Sequence, residues 1–203
     1  VEAGTPLVKS EGMAAIRALR KRFPDLTIVA DLKIMDAGRT EVEIASKAGA
    51  DVVTVLGAAS DETIAECVEA GQNYDALVQV DLIGCPDTVE RARRAQELGA
   101  AVVGIHTAID EQMVGASPMD LIAEVRNAVD IQLAVAGGIN SETAPRAVEA
   151  GADIVIVGGA IIKAPDATEA ARRIVDAIES GEAVETELFK RGGEEQLREI
   201  FMR

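Results

Sequence analysis

Short apolar runs rich in Val and Ile alternate with amphipathic stretches along the whole chain. Runs of this kind, bounded by glycine or polar residues, predict buried strands. The amphipathic stretches predict helices, and the Asp87/Glu90 and Asp166/Glu169 pairs fit capping boxes at helix starts. The order strand, helix, strand predicts a parallel sheet with right-handed connections. The predicted strands are residues 27–31, 52–56, 76–81, 101–106, 131–136 and 154–158, and "VEAG" at 1–4 reads as the end of another.

Three segments of the chain resemble one another, and each predicts a helix end, a glycine turn and a strand. They are "ASKAGADVVTVLG" (45–57), "AQELGAAVVGIHT" (95–107) and "AVEAGADIVIVGG" (147–159). The glycine is suited to the left-handed residue that ends a helix. The segments recur at intervals of about fifty residues with another strand and helix between them, so a βα unit recurs about every 25 residues. That period is typical of a βα barrel.

The predicted fold is therefore an α/β TIM (βα)8 barrel over residues 1–182. Seven strands are readable, the first of them short, whereas a closed barrel has eight. Because the chain begins with Val rather than Met, we expect that the first strand and helix of the barrel are missing from this sequence. An open doubly wound sheet is the structural alternative. Residues 183–203 break the period with Gly192-Gly193, and we expect a helical tail or linker there.

Composition narrows the class of protein. Aromatic residues make up only 2% of the chain, so the core must be built from Val, Ile, Leu and Ala, as between parallel strands and helices. The net charge of −15 argues against nucleic acid or an anionic membrane as a partner, and an anionic substrate would need a local cradle. The longest apolar run, 154–162, is too short to cross a bilayer, and we expect a cytoplasmic protein. Cys67 and Cys85 lack metal-ligand spacing and are expected to be reduced structural thiols.

Every predicted strand ends in a polar residue or in glycine. In a parallel barrel the carboxyl ends of the strands face the active site, so polar residues at these positions are candidates for chemistry. The strand-end residues are Glu2, Asp31 with Lys33, Gly57, Asp81, His106, Gly137-Gly138 and Gly158-Gly159.

Asp31 and Lys33 are the first candidates. Side chains alternate along a strand, so these two share a face, and the apolar Ala30 and Leu32 point the other way, toward the helices. The carboxylate could bind a metal ion or substrate hydroxyls, and the ammonium could stabilise developing negative charge. A structural ion pair is the alternative, although buried pairs rarely add net stability. Asp36 follows in the loop or first helical turn.

Glu2, His106 and the glycine pairs complete the candidate set. Glu2 on the neighbouring strand could join Asp31, and two carboxylates with open positions suit Mg²⁺; a solvated loop glutamate is the alternative. His106, the single histidine, could transfer a proton near neutral pH, unless it is structural. "AGGIN" (136–140) and "VGGAI" (157–161) could bind phosphate through backbone N–H groups and a helix starting near Asn140, or could be tight turns alone.

The run "DLKIMD" (31–36), Asp-x-Lys-x-x-Asp, resembles the signature of the orotidine 5'-monophosphate decarboxylase suprafamily of phosphate-binding barrels. Further segments resemble one of its branches, the 3-hexulose-6-phosphate synthases. These are "EAGTPLVKSEG" (2–12), "VDLIG" (80–84), "IHTAIDEQ" (105–112) and the two glycine loops. The likeness runs from residue 1 to about residue 182.

The resemblance implies an aldolase that condenses ribulose 5-phosphate with formaldehyde, or catalyses the reverse, with Mg²⁺ and as a homodimer. It also implies a role for each matching residue. Glu2 and Asp31 match the metal ligands, Lys33 the lysine beside the enediolate, His106 the proton-transfer group, Asp36 an acid that reaches into the neighbouring subunit's site, and Gly137, Gly138, Gly158 and Gly159 the phosphate loops.

Departures from related families favour the aldolase branch. The 3-keto-gulonate-6-phosphate decarboxylases have an arginine where this chain has Ile109, and usually another where it has Gly159. Orotidylate decarboxylases share the Asp-x-Lys-x-x-Asp run but would not be expected to carry the His-Thr segment or the turn at 2–6. The family's aspartate at the end of the first strand has no counterpart here. Two alternatives therefore stay open: a sugar-phosphate decarboxylase, and a catalytically silent barrel within a larger protein.

Overall fold

The computed structural model describes residues 1–108 and 117–185, which form one curled parallel sheet covered by helices. Seven strands lie in this part of the chain, as predicted, and each pairs in parallel with the next strand in sequence. An open doubly wound sheet is excluded, because its strand order would reverse at a switch point. The strands are β1 Glu2–Ala3, β2 Val29–Ile34, β3 Val52–Leu56, β4 Leu77–Asp81, β5 Val102–His106, β6 Gln132–Ala136 and β7 Ile154–Ile156.

Helices follow the strands on the outside of the sheet. The two capping predictions are confirmed: Asp87 accepts a hydrogen bond from the Glu90 N–H, and Asp166 accepts one from the Glu169 N–H, both at 3.0 Å. None of the helices in the two described ranges is long and apolar enough to cross a membrane. The helices are α1 Thr5–Glu11, α2 Met13–Arg22, α3 Gly38–Ala48, α4 Asp61–Asn73, α5 Thr88–Glu97, α6 Met119–Arg126, α7 Ala144–Glu149, α8 Gly159–Ile162 and α9 Ala167–Ser180.

The hydrophobic core lies between the sheet and the helices. Strand residues such as Val53, Val55 and Leu133 pack there against helix residues such as Ile64 and Ile122, and all five are buried. The core is aliphatic, as the low aromatic content predicts. Because alternate strand residues point outward into this core, the residues between them point toward the barrel interior.

Strand β2 departs from the regular strand that the sequence predicts. It extends from Val29 to Ile34 instead of ending at Asp31, and its pairing with β3 is irregular. Ala30 pairs with Val53 and Ile34 pairs with Val55, so three residues of β2 lie opposite one residue of β3. This is a β-bulge, a feature that re-aims side chains next to active sites.

Most of the predicted tail lies outside the residues that the structure describes. Of residues 183–203, the structure describes 183–185, and Val184 is hydrogen bonded to Ser141 in the loop after β6. Residues 186–203 lie outside the described part, as does Ile109, the position that separates this chain from the decarboxylase pattern. The prediction of a helical tail or linker therefore stays a prediction.

Candidate active site

A cavity at the carboxyl ends of the strands brings together five ionisable residues from four strands. We call Glu2, Asp31, Lys33, Asp81 and His106 the charged cluster. The parallel sheet explains why these residues lie together, since the carboxyl ends of all its strands are at the same end of the barrel. The cavity also reaches Ala136 and Ile156, the residues that end β6 and β7. Four of the sequence-predicted site residues, Glu2, Asp31, Lys33 and His106, therefore meet in one place.

Lys33 and Asp81 form the centre of the charged cluster. The Lys33 ammonium donates hydrogen bonds to Asp81 Oδ2 and, at 3.2 Å, to Asp31 Oδ1. Burial alone would lower the pKa of Lys33, but the charges and hydrogen bonds of Asp81 and Asp31 outweigh it and raise that pKa above its ordinary value. Lys33 is therefore a protonated cation at neutral pH, as the stabilisation of an anion requires.

His106 contacts the same oxygen of the Asp81 carboxylate as Lys33 does. Its Nδ1 is 2.9 Å from Asp81 Oδ2 and 3.5 Å from Lys33 Nζ. Burial alone would raise the pKa of Asp81, whose side chain is 4% exposed, but the hydrogen bonds and charges of His106 and Lys33 lower it below its ordinary value. Asp81 is thus ionised and orients His106 through Nδ1, which leaves Nε2 to exchange a proton with a bound molecule.

Glu2 and Asp31 are the two carboxylates predicted to hold a metal ion. Both line the cavity. Burial first of all, and then the negative charge of Asp31, raise the pKa of Glu2 above its ordinary value, although Lys33 and His106 act in the opposite direction. Within residues 1–108 and 117–185 there is no group of three or more His, Cys, Asp or Glu side chains arranged to hold a metal. Two carboxylates still suit Mg²⁺, which commonly takes one or two and completes its shell with water and substrate oxygens.

Asp36 lies apart from the charged cluster. It is exposed in the bend after β2 and does not line the cavity. Its charge acts on Glu41, whose pKa is raised by burial and then by Asp36. The role of Asp36 in a neighbouring subunit therefore stays a prediction.

The glycine pairs follow the two strands next to the cavity. Gly137 and Gly138 have φ of 102° and 71°, so a tight turn alone accounts for them. Gly158 differs, because its φ is −105° and an added Cβ would meet nothing within 4 Å. A Cβ on Gly159 would lie 3.6 Å from Lys163 Nζ, which places a cation beside this loop. Backbone strain therefore does not explain the second pair.

The helix after the first glycine pair starts later than predicted. The sequence predicts a helix that starts near Asn140, whereas α7 begins at Ala144. The Asn140 side chain accepts hydrogen bonds from the N–H groups of Glu142 and Thr143, at 2.8 and 3.1 Å. This asparagine turn replaces the first helical turn, because side-chain oxygens compete with the helix for nearby N–H groups.

Sequence reasoning missed three residues that hold the charged cluster. The sequence identifies Asp81 as a strand-end residue but assigns it no role. Thr54 and Thr5 contact Asp31, with Oγ1 to carboxylate distances of 2.8 and 2.6 Å. A usable signal existed for Thr54, which is the one polar residue in the otherwise apolar strand "VVTVL". Thr5 carried no comparable signal, because a threonine before a helix reads as an ordinary cap.

The thiols are not part of this site. Both cysteines are free, as expected, and burial first of all raises the pKa of Cys67 to about 12. Burial also raises the pKa of Cys85. Since the thiolate is the reactive form, neither cysteine is prepared to act as a nucleophile at neutral pH.

Comparison with known proteins identifies the family. Residues 1–174 match the orotidine 5'-phosphate decarboxylase / HUMPS family. The chain belongs to this family. The suprafamily resemblance found in the sequence is thereby confirmed, and so is the TIM-barrel fold, because members of this family with solved structures share the fold described above.

Individual members of the family differ in their similarity to this chain. The 3-hexulose-6-phosphate synthase of Mycobacterium gastri is 43% identical over 178 residues, which are 88% of this chain and 86% of the relative. The crystal structure of the Salmonella typhimurium 3-hexulose-6-phosphate synthase is 38% identical with a TM-score of 0.85, over 89% of this chain and 86% of that one. The Vibrio cholerae 3-keto-L-gulonate-6-phosphate decarboxylase is 27% identical with a TM-score of 0.78, over 88% and 84%.

Proposed function

We propose that this protein is an aldolase that joins ribulose 5-phosphate and formaldehyde to give 3-hexulose 6-phosphate, or catalyses the reverse reaction. The observation that carries the proposal is the charged cluster, in which a cationic lysine and an aspartate-bound histidine share one cavity with two further carboxylates. The similarity to named synthases, at 43% identity against 27% for the decarboxylase, supports the same reaction.

The geometry suits chemistry beside a carbonyl group. Removal of a proton from the carbon next to the ribulose carbonyl leaves an enediolate, whose carbon then bonds to the formaldehyde carbon while the formaldehyde oxygen takes a proton. The Lys33 ammonium would stabilise the negative charge that develops. His106 would carry the proton at Nε2, because Asp81 holds its Nδ1 at 2.9 Å.

We propose Mg²⁺ as the cofactor, with Glu2 and Asp31 as its protein ligands. The ion would supply electrophilic stabilisation to the substrate oxygens beside the reacting carbons. The placement of both carboxylates in one cavity supports this assignment, since Mg²⁺ commonly takes one or two carboxylates and completes its shell with water and substrate oxygens. The other oxygen contacts of Asp31, from Thr5 and Thr54, fix the direction in which its carboxylate faces.

We also propose that the sugar phosphate is bound at the two glycine pairs. They follow β6 and β7, whose last residues line the cavity, and loops at these strands are common phosphate sites in barrels. Lys163 supplies a positive charge beside Gly159. A homodimer to which Asp36 contributes, and a cytoplasmic location, remain predictions from the sequence; the mass in solution tests the first.

An assay of the purified full chain tests the proposal. With Mg²⁺ we expect ribulose 5-phosphate to be consumed only when formaldehyde is present, and we expect chelation of the metal to stop turnover. His106→Asn should lower kcat on the order of 10²- to 10⁴-fold, the usual contribution of a general acid or base, while the variant still folds. Glu62→Gln, an exposed change on α4, serves as the control and should keep full activity.

The outcomes separate the alternatives. CO₂ release from 3-keto-gulonate 6-phosphate, without formaldehyde-dependent turnover, would favour the decarboxylase. Absence of turnover in both directions, in the parent and in His106→Asn alike, would favour a catalytically silent barrel. An active parent with an equally active His106→Asn variant would remove His106 from the mechanism.

A further inference from the structure

The bulge in β2 leaves a gap in the hydrogen-bonded ladder at the residues proposed for chemistry. Three consecutive residues, Asp31, Leu32 and Lys33, lie opposite Thr54 of β3. Lys33 has φ of 50°, in the left-handed region that side chains other than glycine rarely adopt. Such backbone is unfavourable and persists only where surrounding contacts hold it.

Thr54 supplies contacts to both ends of the bulge. Its Oγ1 accepts a hydrogen bond from the Lys33 N–H at 3.1 Å and donates one to Asp31 Oδ1 at 2.8 Å. A hydroxyl has one donor and two acceptor sites, so both bonds can form at once. Thr54 is 1% exposed, so water cannot readily replace it.

The residues on either side of Thr54 face the hydrophobic core rather than the charged cluster. Val53 and Val55 on either side are buried in the core between sheet and helices, whereas Thr54 contacts the residues of the charged cluster. At the bulge, the Thr54 hydroxyl rather than a backbone carbonyl accepts the hydrogen bond from the Lys33 N–H. The same hydroxyl donates to Asp31, so it connects the backbone of Lys33 to the carboxylate of Asp31.

We propose that Thr54 is a positioning residue, whose hydroxyl holds the β2 bulge and so fixes the Asp31 carboxylate and the Lys33 side chain relative to Asp81. The catalytic consequence rests on the proposed aldolase function, while the structural part does not. Without the hydroxyl the partly buried Lys33 N–H loses its acceptor, and β2 can relax toward a regular strand. The Lys33 ammonium would then move away from the place where negative charge develops.

Loss of the Thr54 hydroxyl should lower kcat more than it weakens substrate binding. The proposed phosphate loops follow β6 and β7, whereas Thr54 lies on β3 and acts on residues of β2. Misplacement of a reacting group by about 1 Å can reduce a rate on the order of 10²-fold. A change at Thr54 that only loosened the fold would instead lower stability without a selective effect on kcat.

Three variants of the full chain, assayed with Mg²⁺, ribulose 5-phosphate and formaldehyde, separate these outcomes. Thr54→Val keeps the shape but removes the hydroxyl, and we expect kcat to fall roughly 10- to 100-fold. KM for ribulose 5-phosphate should stay within about threefold, since the phosphate contacts are untouched. Thr54→Ser keeps the hydroxyl and should restore kcat to within about threefold of the parent. Val53→Ala, the control, opens a cavity in the neighbouring core and should lower stability while keeping kcat.

Specific results would overturn the proposal. A parental kcat in Thr54→Val, or a kcat in Thr54→Ser as low as in Thr54→Val, would show that the hydroxyl does not position the site. An equal loss of kcat in Val53→Ala would show that the fall of kcat in Thr54→Val results from lower stability rather than from a misplaced Lys33. If Thr54→Val does not fold, Thr54→Ala takes its place in the same comparison.

The structural part can be tested even if the parent shows no aldolase activity, in which case the proposed function fails by itself. Crystal structures of the parent and of Thr54→Val then decide. Loss of the positive φ of Lys33 and of its Nζ contact to Asp31 in the variant supports the proposal. An unchanged bulge overturns it.

Discussion

Asp81 connects the two basic residues of the charged cluster. One carboxylate accepts hydrogen bonds from Lys33 and His106, so the same negative charge keeps the lysine protonated and orients the histidine ring. Sequence analysis assigns a role to both of these partners, but it identifies Asp81 only as a strand-end residue. The reason is physical: a strand-end aspartate has the same appearance in the sequence whether it faces solvent or accepts hydrogen bonds from two partly buried side chains.

The lowered pKa of Asp81 predicts a dependence of stability on pH. A carboxyl group whose pKa is lower in the folded state than its ordinary 3.8 stabilises the fold above that value, and the stabilisation is lost as pH falls through the folded-state pKa. At pH 7 we expect Asp81→Asn to lower the free energy of unfolding by about 1–3 kcal/mol. The difference should shrink between pH 3.8 and lower values.

Urea unfolding at pH 7 and near pH 3 measures the effect of Asp81→Asn. Asp25→Asn, at an exposed position, is the control and should stay within about 0.5 kcal/mol of the parent at pH 7. A stability difference for Asp81→Asn that is equally large at both pH values would contradict the linkage.

At the scale of elements, two of the three similar sequence segments, 45–57 and 147–159, share a contact at the amino ends of the strands. Asp51 Oδ2 accepts hydrogen bonds from the Ile28 N–H at 2.6 Å and from Arg20. Asp153 Oδ2 likewise accepts the Leu133 N–H at 2.8 Å and Arg126 at 2.9 Å. Each aspartate therefore links the start of one strand to the start of the next.

The segment at 95–107, the second of the three along the chain, lacks this contact. It has Ala101 where the other two have an aspartate, and Gln96 instead accepts hydrogen bonds from the N–H groups of Asp130 and Ile131, at 2.7 and 3.2 Å. A shared sequence pattern therefore predicts the helix-to-strand junction, while the polar contact at that junction depends on a single position within it.

We expect Arg126→Met to lower the free energy of unfolding by about 1–2 kcal/mol, because the carbonyl groups of Val129 and Ile131 and the carboxylate of Asp153 lose a donor. The activity should be unchanged, since these contacts lie at the end of the sheet opposite to the cavity. Urea unfolding measures the loss.

Arg173→Met is the matched control for Arg126→Met. Arg173 pairs with Glu169 on the surface of α9, with side chains 51% and 44% exposed, and such pairs contribute little. Equal losses of stability in Arg126→Met and Arg173→Met would show that the junction contact is not special.

Elements were more predictable than their irregularities. Six strands are found within two or three residues of their predicted ends, because β-branched runs and glycine turns are direct consequences of burial and of φ. The bulge was not predictable, since Ala30 and Leu32 around Asp31 alternate as in a regular strand, and the left-handed Lys33 is held by Thr54 from another strand. A contact between strands leaves no trace in the local pattern.

At the scale of the whole molecule, the chain after α9 returns to the loop that follows β6. The Val184 N–H donates to the Ser141 carbonyl at 3.2 Å, and Ser141 Oγ donates to the Val184 carbonyl at 2.8 Å. Ser141 is 3% exposed and comes three residues after Gly138. Residues 182–185 therefore support the loop to which we assign the substrate phosphate.

This arrangement predicts that removal of residues 182–185 impairs substrate binding rather than chemistry. A chain ending at Gly181 loses both hydrogen bonds to Ser141, whereas a chain ending at Glu185 keeps them, so the second is a matched control for the loss of everything beyond 185. We expect KM for ribulose 5-phosphate to rise roughly 3- to 10-fold in the shorter chain, equivalent to about 1 kcal/mol per hydrogen bond at most, with kcat nearly unchanged. Steady-state kinetics on both truncations measures this.

If the two truncated chains have the same KM, the contact between Val184 and Ser141 does not support the phosphate loop. If instead kcat falls and KM does not change, the segment acts on the charged cluster, and its proximity to the glycine loop is incidental.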